Sequence, residues 1–237
     1  MAGPGPLFHS FFLSLRRRGM LPLLRPPQGV DLRRLMEIQR KIASRVSTRD
    51  EWEKLETIAG LDLAYAGKDR GFSACVLLEL RTLEVLEERV KKVRIRFPYL
   101  PTFLAFREVE GMLEVAREVE ADVYMVDGHG VAHPRRAGLA SHLGVVLNRP
   151  SLGVAKSRLC GEGEEPPAER GGYSLLREGG EVIGAAVRTR TGAGPVYVSV
   201  GHRLSLPTAI ELTLRTSRFR IPEPLRLAHA LATGRTK

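Results

Sequence analysis

The chain has 237 residues, 43% of them hydrophobic and 27% charged, which suits one large domain with a core of its own. Lysine and arginine outnumber aspartate and glutamate by 37 to 27, for a formal charge of +10, so a polyanionic partner is expected, with nucleic acid the leading candidate. Two cysteines exclude a disulfide framework and a cysteine zinc site, and no uninterrupted apolar run approaches the roughly 18 residues of a membrane span; a reducing cytoplasm is the expected location.

Residues 1–30 join a short apolar patch to three arginines and then to prolines, the reverse of a signal peptide's order, and read as a basic, poorly ordered extension of a domain over 31–237. Asp31 is placed to cap a helix running to about Val46. Three strand-like segments follow at 58–67, 71–80 and 85–97, joined by turns short enough for an antiparallel meander. A helix begins near Pro101, with Thr102 as its cap. It leads to a buried strand "DVYMVD", a helix over 135–147 and a strand "SLGVAKS", an order that implies a parallel pair. Segment 161–172 reads as an exposed loop, "EVIGAAVRTR" and "PVYVSVGH" as a hairpin, and 207–217 and 223–233 as closing helices. The fold class expected is α/β: an antiparallel meander leading into parallel strands, flanked by helices.

Three acids stand where apolar residues belong. Asp62 interrupts "IAGLDLAYAG", a run apolar on both faces like a central strand. On a helical wheel, Glu108 falls within the apolar arc of residues 103–119, between Val115 and Val119. Asp127 ends a buried strand, at the edge where open α/β sheets place ligands. Each alone is explained by a salt bridge in the core. If the strands of Asp62 and Asp127 are neighbours, the three converge, and clustered carboxylates call for a divalent cation, Mg²⁺ or Mn²⁺ rather than zinc. The adjoining "VDGHGVAHPRR" admits three readings: a zinc site, a basic turn without chemistry, or part of a phosphate site. Zinc is the weakest, because Gly128, Gly130 and Pro134 oppose the helix that would bring His129 and His133 together.

The order of these acids resembles the ribonuclease H-like nucleases. The strings "GLDLAY", "PYLPTFLAFRE", "VDGHGVAHPRRAGLASHLG", "GVAKSRLCG", "GHRLS" and "RIPEPLRLAHALA" resemble, more narrowly, the endonuclease V family, over about residues 31–233. The resemblance implies a metal-dependent endonuclease that cleaves DNA on the 3′ side of deoxyinosine, leaving 3′-hydroxyl and 5′-phosphate ends. It assigns Asp62, Glu108 and Asp127 to the metal, places Lys156 near the attacking water or scissile phosphate, and matches His229 to the family's late active-site histidine, a residue that packing of the C-terminal helix would otherwise explain. Tyr99 becomes the wedge beside the extruded base. Leu104, Gly138, Leu139 and Leu159 become the base pocket, and His133, Arg135 and Arg136 phosphate neighbours. Thr102 departs from the glycine common at its position. Cleavage of inosine-containing RNA is the alternative within the family. A noncatalytic nucleic-acid-binding module is the alternative outside it, and three buried acids facing phosphates count against that. The cofactor expected is Mg²⁺, with Mn²⁺ as substitute, and the expected state is a monomer without membrane association.

Overall fold

In the computed structural model residues 31–236 are described; the stretch expected to be an extension, 1–30, lies outside them. In chain order the elements are α1 (Leu32–Ala43), β1 (Thr57–Tyr65), β2 (Arg70–Glu79), β3 (Val85–Arg94), α2 (Leu104–Ala116), β4 (Val123–Asp127), α3 (Leu139–Leu147), β5 (Ser151–Ala155), β6 (Tyr173–Glu178), β7 (Glu181–Val187), β8 (Val196–His202), α4 (Leu206–Arg215) and α5 (Glu223–Thr233). The strands form one eight-stranded sheet of order β3-β2-β1-β4-β5-β8-β7-β6. β1, β4 and β5 are parallel neighbours in its middle, and antiparallel pairs extend it on both sides. This is the ribonuclease H-like mixed sheet that the sequence resembles. No helix among the described residues is long and apolar enough to cross a membrane.

Strand alternation divides the core into two layers. Ala59, Leu61 and Leu63 of β1 face a cluster with Ile38 and Ile42 of α1, Val109 and Met112 of α2 and Leu143 of α3. Ile58 faces the other way, into a cluster with Met125 of β4, Val198 of β8, Ile210 of α4 and Leu225 of α5. Helices therefore cover both faces, and the central strands are buried on both sides, as their continuous apolar runs require. β3 forms an edge, where its exposed Glu, Lys and Arg side chains oppose pairing with another chain.

Three expectations need correction. Thr102 does not cap α2: its φ of 66° is left-handed, whereas a cap is extended, and Phe103 takes the cap position without a side-chain hydrogen bond. The helix expected over 135–147 begins at Leu139, because Arg136 is left-handed at φ 53° and Gly138, the cap, is extended. β6 follows the 161–172 loop unannounced. It is a half-exposed edge strand with no clean alternation of apolar and polar positions. Asp31 does cap α1, accepting from the amides of Arg33 and Arg34 at 2.9 and 3.3 Å.

Candidate active site

The site is built at the carboxyl ends of β1 and β4. These strands pair in parallel up to Leu61↔Val126, so Asp62 and Asp127 follow the last registered pair on adjacent strands. Gly60 sets the position of α5. A Cβ there would stand 2.1 Å from the Pro224 carbonyl oxygen, so the start of α5 lies directly on the β1 backbone. Asp62, two residues on, shares that face, and the next turn of α5 presents His229 to it. His229 Nδ1 and Asp62 Oδ2 are 2.7 Å apart, and Asp62 Oδ1 accepts from the Leu63 amide at 2.8 Å. The His229 side chain is 56% exposed, which leaves the far side of the ring to solvent and substrate.

Asp127 and Lys156 close the β4–β5 edge. Lys156 Nζ donates to Asp127 Oδ2 at 2.6 Å, and Arg220 holds the Lys156 carbonyl at 3.0 Å. From the opposite face, α2 sends in Glu108, 7% exposed, whose Oε1 accepts from the Tyr65 hydroxyl. The Arg107 guanidinium covers the Tyr65 ring at 4.5 Å. Burial pushes the Glu108 carboxyl up to about 8; the nearby charges of Asp62 and Asp127 push the same way, against the Tyr65 hydrogen bond and Arg107. Burial and Asp62 also raise Asp127, opposed by Lys156. The three acids thus feel one another across the two faces of the sheet. As they stand each has a protein partner, and no three His, Cys, Asp or Glu side chains among the described residues form a ready coordination shell. A set of mutually repelling, oxygen-bearing groups still fits a hard divalent cation better than it fits three fixed negative charges.

The loop from 128 to 138 uses its special residues for backbone packing. A Cβ on Gly130 would lie 1.9 Å from the Val200 carbonyl, and one on Gly138 would lie 2.2 Å from the His129 carbonyl. Both glycines exist so that backbone can touch backbone. The three residues expected beside phosphates are committed within the protein. His133 is 3% exposed: its Nε2 meets the Thr102 carbonyl at 2.9 Å, its Nδ1 accepts from the Arg135 amide at 3.1 Å, and burial lowers its pKa to about 4, so it is a neutral ring. Arg135 binds Gln39 and Thr102 and lies 4.7 Å over the Phe103 ring. Arg136 pairs with Glu178 and Glu181 at 2.6 and 2.9 Å. These contacts tie the loop to α1, to the Thr102 turn and to the β6–β7 hairpin. His129 and His133 lie on no helix, so the helical spacing that a zinc site would use is absent.

A cavity of about 310 Å³ opens beside the acids. Leu104, Gly138, Leu139 and Leu159 line it, and Tyr99, Asp127 and Lys156 share its wall. Tyr99 is 67% exposed at the rim, in the proline-braced turn before α2. Sequence reasoning missed Gly60, Tyr65, Gln39 and Arg220. A signal existed for Gln39, a polar residue on the apolar face of α1, and for Tyr65, which ends the strand that carries Asp62. Nothing local marks the other two.

Comparison with known proteins agrees with this geometry. The endonuclease V family profile matches residues 40–230. An endonuclease V of Methanothrix thermoacetophila is 46% identical over 216 residues, covering 90% of this chain and 93% of its own. The crystal structure of endonuclease V from Streptomyces avermitilis superposes with a TM-score of 0.82 at 36% identity, covering 90% of this chain and 96% of its own. Endonuclease V of Ciona intestinalis, solved in complex with a 24mer DNA containing an inosine followed by a ribo-adenosine, gives a TM-score of 0.77 at 26% identity, covering 86% and 97%. The chain belongs to the endonuclease V family and is a nuclease that acts on DNA.

Proposed function

We propose that the protein recognises deoxyinosine in DNA and hydrolyses the phosphodiester on its 3′ side, leaving 3′-hydroxyl and 5′-phosphate ends. One observation carries the reading: the cavity suited to a base and the acid cluster suited to phosphate chemistry share Asp127 and Lys156 as a common wall. At about 310 Å³ the cavity is at the lower end of small-ligand sites, which span roughly 300–1,000 Å³. An extruded base seated in it brings its own backbone to the acids. The relative from Ciona intestinalis, bound to inosine-containing DNA, supports the choice of base.

Asp62, Glu108 and Asp127 would hold the divalent cation, Mg²⁺ with Mn²⁺ as substitute. When bound, such an ion supplies a Lewis acid for the phosphate and an ionised water at neutral pH. The chain's own groups do the rest. The exposed Lys156 ammonium, beside Asp127, is placed to lean onto a phosphate oxygen and offset charge developing there. Asp62 fixes the His229 ring through Nδ1, leaving Nε2 to give or take a proton at a reacting oxygen. Tyr99 fills the gap in the base stack, and Leu104, Leu139 and Leu159 exclude water from the extruded base.

The test is cleavage of matched inosine DNA, inosine RNA and undamaged DNA, each with Mg²⁺ and with chelator. Mg²⁺-dependent nicking 3′ to inosine in DNA is expected. Preference for the RNA, or equal cleavage of undamaged DNA, would overturn the substrate assignment, and cleavage in chelator would overturn the cation.

A further inference from the structure

Three side chains, one from α1 and two from the loop after β4, converge on the backbone carbonyl of one residue, Thr102. Its φ of 66° is a conformation that β-branched residues avoid. Its carbonyl oxygen accepts from Gln39 Nε2 at 2.7 Å, His133 Nε2 at 2.9 Å and Arg135 Nη2 at 3.2 Å. Arg135 Nη2 also donates to the Thr102 hydroxyl at 2.5 Å, and its Nε donates to Gln39 Oε1 at 2.5 Å. Gln39 is fully buried, so its amide is dedicated to this contact. A strained residue persists when its surroundings over-determine it, and such residues gather at functional sites. Thr102 lines the cavity beside Gln39, His133 and Leu104, two residues before α2 begins at Leu104.

We infer that Gln39 and Arg135 are positioning residues that clamp the Thr102 turn in its left-handed form and so keep the base cavity open for inosine. Gln39 shares the cavity wall with Thr102, whereas Arg135 stands behind that wall. Arg135 acts through Thr102, where a residue contacting phosphate would act on any DNA. The side chain at 102 makes the clamp necessary, because a glycine adopts left-handed φ unaided. The inference rests on the proposed recognition of inosine.

The full chain, with Ca²⁺ replacing Mg²⁺ to hold back cleavage, is titrated with labelled duplex containing inosine and with the same duplex undamaged, across a salt series. Arg135→Met should weaken inosine-duplex binding about tenfold, the effect of losing a charged hydrogen-bonding group. Binding of undamaged duplex and its salt slope should not change. Adding Thr102→Gly to Arg135→Met should restore most of the lost affinity. Arg135→Lys keeps the charge but cannot span Gln39 and Thr102 together. It should repeat the pattern more weakly, and it covers the case in which Arg135→Met does not fold. Equal loss on both duplexes with a salt slope shallower by about one would mark Arg135 as a phosphate contact and overturn the inference. Failure of glycine to rescue would overturn it too. Absence of any inosine preference in the unaltered chain would instead defeat the functional reading beneath it, a result seen before any substitution is made.

Discussion

Asp62 and His229 are 167 positions apart in sequence, yet their side chains meet at 2.7 Å because Gly60 has no Cβ. The close approach of Pro224 to Gly60 lays α5 on β1, and the contact two residues on follows from strand periodicity. Gly60→Ala is therefore expected to lift α5 from the sheet. Overpacking of this kind costs about 1–3 kcal/mol, and the melting temperature should fall. Activity should fall further than stability, since His229 moves with the helix. His229→Ala should lower kcat while leaving the melting temperature near that of the parent. Thermal melts beside single-turnover rates check both, and full activity in Gly60→Ala would contradict the dependence.

Asp127→Asn removes a charge and keeps the size. Asp127 lies on the wall shared by the cavity and the acid cluster, so the variant should lose cleavage by about a thousandfold or more, as when a transition-state charge stabiliser is removed. Binding of inosine duplex should remain within a few fold of the parent. Near-normal Mg²⁺-dependent cleavage by Asp127→Asn would remove Asp127 from the metal site.

Acid should destabilise the fold through its buried histidines. His142 in α3 is fully buried against Phe106, with ring centroids 5.3 Å apart, and burial lowers its pKa to about 3 from 6.5. His133 and His202 are lowered to about 4, again chiefly by burial. A depressed histidine binds fewer protons folded than unfolded, so stability rises with pH across this window. The contribution is complete above pH 6.5 and is lost as pH falls from 6.5 toward 4. His142→Leu removes one of these groups, so its melting temperature should drop less between pH 7 and pH 4.5 than the parent's. An unchanged pH profile would show that His142 does not govern the acid limb.

The acids were legible because each breaks a pattern that extends beyond it. Asp62 sits in a run apolar on both faces, and Glu108 in the apolar arc of an amphipathic helix; burial of both follows from periodicity alone. The fate of Arg135 and Arg136 was not legible. Their partners, Gln39, Thr102, Glu178 and Glu181, lie from 33 to 96 positions away, and a basic dipeptide after a strand looks the same whether it meets phosphate or protein. The start of α2 was misread for a related reason. Threonine before a helix is ordinarily a cap, and the clamp that turns Thr102 left-handed is assembled from α1 and from the loop after β4.

Tyr99 separates recognition from hydrolysis. Its ring is 67% exposed on the cavity rim, in the turn before α2, so it can reach a duplex without bearing on the acids. If the ring replaces an extruded base in the stack, Tyr99→Ala should lose about 1–3 kcal/mol of stacking, the range measured for aromatic–base contacts. The loss should be greatest on duplex inosine DNA, where a stacked base must leave its neighbours. It should be smaller on single-stranded inosine DNA, where less stacking is broken. Tyr99→Phe keeps the ring and drops only the hydroxyl, so most activity should survive. Cleavage rates of the parent and both variants on the two substrates decide the matter. Equal losses for Tyr99→Ala on duplex and single strand would assign the residue to the fold of its turn and not to the DNA.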